Sequence, residues 1–133
     1  MPLDQPVFFL DRNLGKHRFA EVLRKAGLRV EVHDAHFAPN TADPDWLRVV
    51  GEQGWIVLTK DRKIRYRPLE WLSILQNGVR AFAFTTGSLK AETMAALFLR
   101  CKDQVFRLLE ENRKPFIAKI GQSGEVRIWK LSD

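Results

Sequence analysis

The chain contains one cysteine, Cys101, and three histidines among its 133 residues. Neither a disulfide framework nor a zinc-ligand spacing can be assembled from so few, which excludes a stapled secreted scaffold and a structural zinc site. No stretch approaches the roughly 18 uninterrupted apolar residues of a membrane span. The opening Met1-Pro2-Leu3-Asp4 has neither the basic nor the apolar region of a signal peptide. A protein of the reducing cytoplasm, away from any membrane, is the expectation. Repeats, low-complexity tracts and Gly/Ser/Pro-rich linkers are also missing. Gly15 stands alone after the first apolar run, without the spacing of a dinucleotide or P-loop fingerprint.

What is present is a moderate apolar content, 45%, and a net charge of +6. The length suits one domain, residues 1–133, able to bury enough surface to fold without a staple. The positive balance favours polyanionic partners such as nucleic acid.

The hydrophobic pattern alternates between two periods. Val7 to Leu10 is a short apolar run that fits a strand buried on both faces. Phe19, Val22, Leu23 and Ala26 then recur at helical spacing, with Gly27 in the helix-ending position. Leu28 to His33 is a second strand. Asp43-Pro44 reads as an N-cap followed by proline at the first helical position, opening a helix through Trp46, Leu47 and Val50. Trp55 to Thr59 is the third strand, Pro68 to Leu75 a helix stopped by Asn77-Gly78, and Val79 to Phe84 the fourth strand. One long helix is predicted from the apolar series Met94, Leu97, Phe98, Cys101, Val105, Leu108 and Leu109. Phe116 to Ile120 and Val126 to Lys130 complete the chain as a hairpin around Gly121-Gln122-Ser123-Gly124. Strand–helix–strand repetition implies an α/β fold, a three-layer α/β/α sandwich on a mainly parallel sheet with a C-terminal strand hairpin. In such sheets the ligand site lies beyond the carboxyl ends of the strands.

Acids collect at that edge. Asp11 ends the first strand, Asp61 follows the third, and Asp43 and Asp45 open the second helix. If the first and third strands are neighbours, Asp11 and Asp61 approach closely, and like charges so near one another are tolerated when a cation lies between them. Carboxylates suit a hard ion, Mg²⁺ or Mn²⁺, which generates a hydroxide and neutralises the developing charge of a phosphodiester. N-capping alone also explains Asp43, and the helix dipole explains Asp45. The basic residues Lys60, Arg62, Lys63, Arg65 and Arg67 surround Asp61 with Tyr66 among them, and Arg12, Lys16, His17 and Arg18 extend the rim. Cations for phosphates and a ring for stacking suit single-stranded nucleic acid; a solvated loop of paired charges is the plain alternative. His33 and His36 lie within reach of this edge and are placed to touch substrate, though ordinary loop histidines are the plainer reading; Trp46, Trp55 and Trp71 read as core, and Cys101 as a small buried hydrophobe.

The runs Phe8-Phe9-Leu10-Asp11-Arg12-Asn13-Leu14-Gly15, Thr41-Ala42-Asp43-Pro44-Asp45-Trp46-Leu47 and Ile56-Val57-Leu58-Thr59-Lys60-Asp61-Arg62 resemble the PIN-domain superfamily, in particular the small PIN-like branch related to VapC-type toxins. The resemblance spans most of the chain. It implies a Mg²⁺ or Mn²⁺-dependent endoribonuclease, with Asp11, Asp61 and either Asp43 or Asp45 as the acids, Asp43 having the better spacing. It further implies Asn13 and Thr59 as accompanying polar residues of the catalytic set. Arg12, Lys16, Lys60, Arg62, Lys63 and Arg65 are the expected phosphate contacts. Expected partners are RNA, an acidic antitoxin protein and a second copy of the chain in a homodimer. Many relatives carry a further acid where this chain has Lys63, so a full second metal site does not carry over. An inactive nucleic-acid-binding module is the alternative. A phosphoacceptor receiver domain fits less well, because its paired acids are replaced by Asp11-Arg12 and Lys114-Pro115 precedes strands rather than a helix.

Overall fold

The computed structural model describes residues 5–14, 17–60, 68–86 and 89–129. Six strands form one sheet, β1 (Val7–Leu10), β2 (Arg29–Val32), β3 (Ile56–Lys60), β4 (Arg80–Phe84), β5 (Phe116–Ile120) and β6 (Val126–Ile128), in the spatial order β2-β1-β3-β4-β5-β6. Every pairing is parallel except β5 with β6, so the expected sandwich with a terminal hairpin is the observed fold. Lys114-Pro115 leads directly into β5.

Alternate residues of each strand feed two cores, as the pleat requires. Phe8, Leu10, Leu58, Phe82 and Ile120 face one layer, made by α1 (Arg18–Lys25), α5 (Ala91–Arg100) and α6 (Lys102–Glu111) through Phe19, Leu23, Met94, Phe98 and Val105. Phe9, Val57, Ala81, Ala83 and Ile117 face the other, where α3 (Asp43–Gln53) and α4 (Pro68–Gln76) contribute Trp46, Leu47, Val50 and Ile74. Gly54 closes α3 at φ 73°, a left-handed cap that sends the chain straight into β3. Gly51 lies where α3 meets the end of α4, and a Cβ there would fall onto the backbone carbonyl of Asn77.

Four local expectations are corrected. The predicted long helix is two helices, α5 and α6, meeting at Cys101 with φ −103° and ψ 15°. The shared apolar face continues across the junction, since Leu97, Phe98, Cys101 and Val105 are all buried, which is why periodicity alone reads as one helix. Asp43 is the first helical residue and does not cap; Ala42 holds the N-cap position without a side-chain bond. The second strand ends at Val32, and His33 opens a short helix, α2 (His33–His36). The last strand ends at Ile128, while Lys130 lies outside the described residues. Among the described residues, no helix is long and apolar enough to cross a membrane.

Candidate active site

The strand order reverses between β1 and β3, and the crevice of an open parallel sheet forms where neighbouring strands leave in opposite directions. β1 and β3 are indeed neighbours, with Leu10 opposite Leu58. Asp11 stays in register one step further, its N–H donating to Leu58 O at 3.0 Å. The chain then turns through a short 3₁₀ segment, Arg12–Leu14, which folds Asn13 back toward the end of β3.

Asn13, Thr59 and Asp11 form one hydrogen-bonded set. Thr59 Oγ1 donates to Asp11 Oδ2 at 2.8 Å. Asn13 Nδ2 donates to Thr59 Oγ1 at 3.0 Å and to Lys60 O at 2.8 Å, while Lys60 N–H donates to Asn13 Oδ1 at 3.1 Å. Both carboxamide ends are thus used on the β3 terminus. Across the cleft, Trp46 Nε1 donates to Asp43 Oδ1 at 2.9 Å. The residue that seemed purely core therefore also fixes an acid, with its ring stacked at 5.4 Å on Phe9.

The cleft measures about 350 Å³ and is lined by Asp11, Arg12, Asn13, His33, Pro39, Thr41, Asp43 and Trp46. Asp43 faces it and Asp45 does not. Burial pushes the Asp11 carboxyl above its ordinary range, against the hydrogen bonds from the Thr59 hydroxyl and the Arg12 backbone; the charge of Asp43 adds to the rise and His33 offsets part of it. Arg12 is already engaged, its Nε 3.3 Å from Asp34 Oδ1 and its Nη1 donating to Pro39 O at 3.0 Å. Its predicted phosphate contact would have to come from the half-exposed outer face of the guanidinium. Lys60 ends β3 with its backbone held by Asn13. Asp61, Lys16, Arg62, Lys63 and Arg65, with Tyr66 and Arg67, lie outside the described residues.

His33, placed within reach of this edge by the sequence but read there as an ordinary loop residue, is instead a buried part of the cleft wall. Its side chain is 2% exposed, walled by Phe9, Phe37 and Trp46 with ring separations of 5.4 to 6.1 Å. The polar neighbours Glu31 and Asp34 gave no sign of that burial. His36, by contrast, pairs with Glu31 at 2.6 Å outside the cleft.

The donor chemistry fits a hard divalent cation. Asp11 and Asp43 are carboxylates in one cleft, and the electrostatic strain on Asp11 is of the kind such an ion relieves. Among the described residues, no three acidic, histidine or cysteine side chains gather around one point.

A family model described as "PIN like domain" matches residues 6–86, a stretch that contains Asp11, Asn13, Asp43 and Thr59. The chain is 31% identical over 129 residues to a Mycobacterium tuberculosis protein named "Putative ribonuclease VapC45", covering 94% of this chain and 93% of that protein. No solved structure gives a significant match.

Proposed function

This chain belongs to the PIN-like domain family, and from that premise we propose that it is a Mg²⁺ or Mn²⁺-dependent endoribonuclease, the toxin of a toxin–antitoxin pair acting in the cytoplasm. The observation that carries this reading is Asp11 and Asp43 facing a single cleft at the point where the strand order reverses. The ribonuclease named in the comparison matches along nearly its whole length, which supports extending the activity to this chain. An acidic antitoxin and a homodimer belong to the same proposal.

Asp11, Asp43 and Asp61 would hold the cation. When bound, it supplies Lewis acidity to the phosphodiester and makes a nucleophile available at neutral pH. The protein's own part is positional. Thr59 fixes one Asp11 oxygen and with it the orientation of the carboxylate. Trp46 fixes the orientation of Asp43 through its indole N–H. Asn13 fixes the Thr59 hydroxyl and the peptide from which Lys60 leads on to Asp61. The outer face of Arg12, together with Lys16, Lys60, Arg62, Lys63 and Arg65, would draw phosphates in.

Calorimetric titration with Mn²⁺ and cleavage of a labelled single-stranded RNA test the proposal together. Saturable binding and cleavage in the wild type, both lost in Asp11→Asn and Asp61→Asn, are expected. RNA binding without either would instead identify a binding module.

A further inference from the structure

His33 is an unexplained polar group in this site. An imidazole shut away from water costs free energy unless its nitrogens are bonded. Here Nδ1 is sealed from solvent without a hydrogen-bond partner, standing 3.5 Å from Asp34 Oδ1. Among the described residues, Nε2 has no hydrogen-bond partner either. Yet the ring forms part of the wall of the cleft that also holds Asp11 and Asp43. Three aromatic rings fix its orientation, Phe9, Phe37 and Trp46, the last itself bonded to Asp43. An apolar ring would pack as well among them, so packing does not account for a histidine.

We propose that His33 reads the ribose 2′-hydroxyl of RNA bound in the cleft, Nε2 being the nitrogen left for that contact, and so makes the site selective for RNA. The inference rests on the functional reading above only in taking RNA as the ligand. A 2′-hydroxyl is both donor and acceptor and pairs with imidazole in either tautomer. A phosphate oxygen accepts only, and would need the proton on the cleft-facing nitrogen. With Asp34 beside Nδ1, the tautomer that leaves Nε2 as an acceptor is favoured, which suits the hydroxyl and not the phosphate.

The experiment compares the affinity of a short single-stranded RNA with that of its all-2′-fluoro twin, which keeps the sugar pucker and removes the hydroxyl. Fluorescence anisotropy in EDTA measures both without cleavage. Wild-type protein should prefer the RNA, and His33→Phe should reduce that preference roughly five- to tenfold, one hydrogen bond's worth. His33→Gln, which keeps a donor and an acceptor, should retain most of it. His33→Met serves as a second apolar replacement if the Phe variant does not melt cooperatively. An unchanged preference in both apolar variants, or a wild type that binds the two oligomers equally or not at all, overturns the assignment. A protein that shows the expected pattern but cleaves no RNA overturns the nuclease reading and leaves this one standing.

Discussion

Asn13 holds the backbone of Lys60 by both of its polar groups, Nδ2 donating to the carbonyl at 2.8 Å and Oδ1 accepting the amide proton at 3.1 Å. A residue 47 positions away thereby sets where β3 ends and where the segment carrying Asp61 begins. Removing the side chain in Asn13→Ala should release both bonds. The Lys60 amide should then exchange with deuterium about tenfold faster, and cleavage should fall by about tenfold or more, ~1.4 kcal/mol in the barrier. Exchange measured residue by residue, alongside initial rates, checks both.

Asp11 gives a pH-dependent prediction whose sign follows from its raised pKa. The folded protein binds this proton more tightly than the unfolded chain, so stability falls as pH rises from the ordinary value of 3.8 through the raised one. Asp11→Asn removes that dependence. In metal-free buffer at neutral pH the variant should melt a few degrees above wild type, and below pH 4 the gap should close. Thermal melts across that range in EDTA decide it; a variant less stable than wild type at pH 7 would contradict the burial argument.

Thr59 acts on the same carboxyl in the opposite direction, because its hydroxyl bond favours the ionised form. Thr59→Val should raise the Asp11 pKa further and move the acid limb of the activity profile to higher pH. Thr59→Ser should leave the limb in place. The pH dependence of kcat/KM for the three proteins is the measurement.

Trp46→Phe keeps a large ring against Phe9 but loses the indole N–H that holds Asp43. Mn²⁺ affinity should weaken by roughly three- to tenfold, one hydrogen bond's worth. The melting temperature should change far less than in Trp46→Ala, where about 3–5 kcal/mol of packing is lost. Titration and melts of the pair separate positioning from core packing.

Arg80 provides a control remote from the cleft. Its guanidinium donates to Leu109 O and Asn112 O at 2.9 and 3.0 Å, closing the end of α6. Burial, helped by the charge of Arg113, pushes its pKa down. Arg80→Met should cost about 1–3 kcal/mol of stability and leave kcat unchanged below the melting range. Denaturant titration and steady-state rates check it.

The parts of this protein legible in its sequence are those governed by local pattern. Alternation of apolar runs and helical faces named the sheet, and the position of Asp11 and Asp43 at element boundaries pointed to one edge. Tertiary facts escaped. Cys101 interrupts a helix whose buried stripe runs on undisturbed, so no periodicity could mark the break. Asp43 sits in a capping context, but its carboxylate is taken by an indole three residues on. His33 has polar neighbours in sequence and aromatic ones in space, and only the second set decides its burial.

Gly51 bears on the acid at the other end of its helix. It lies eight residues after Asp43, about 12 Å along α3, at the contact where any side chain would strike the Asn77 carbonyl. A larger residue at 51 would force α3 away from Asn77, and the same helix carries Asp43. The placement of an acid in the cleft thus depends on the absence of a side chain at a position outside it.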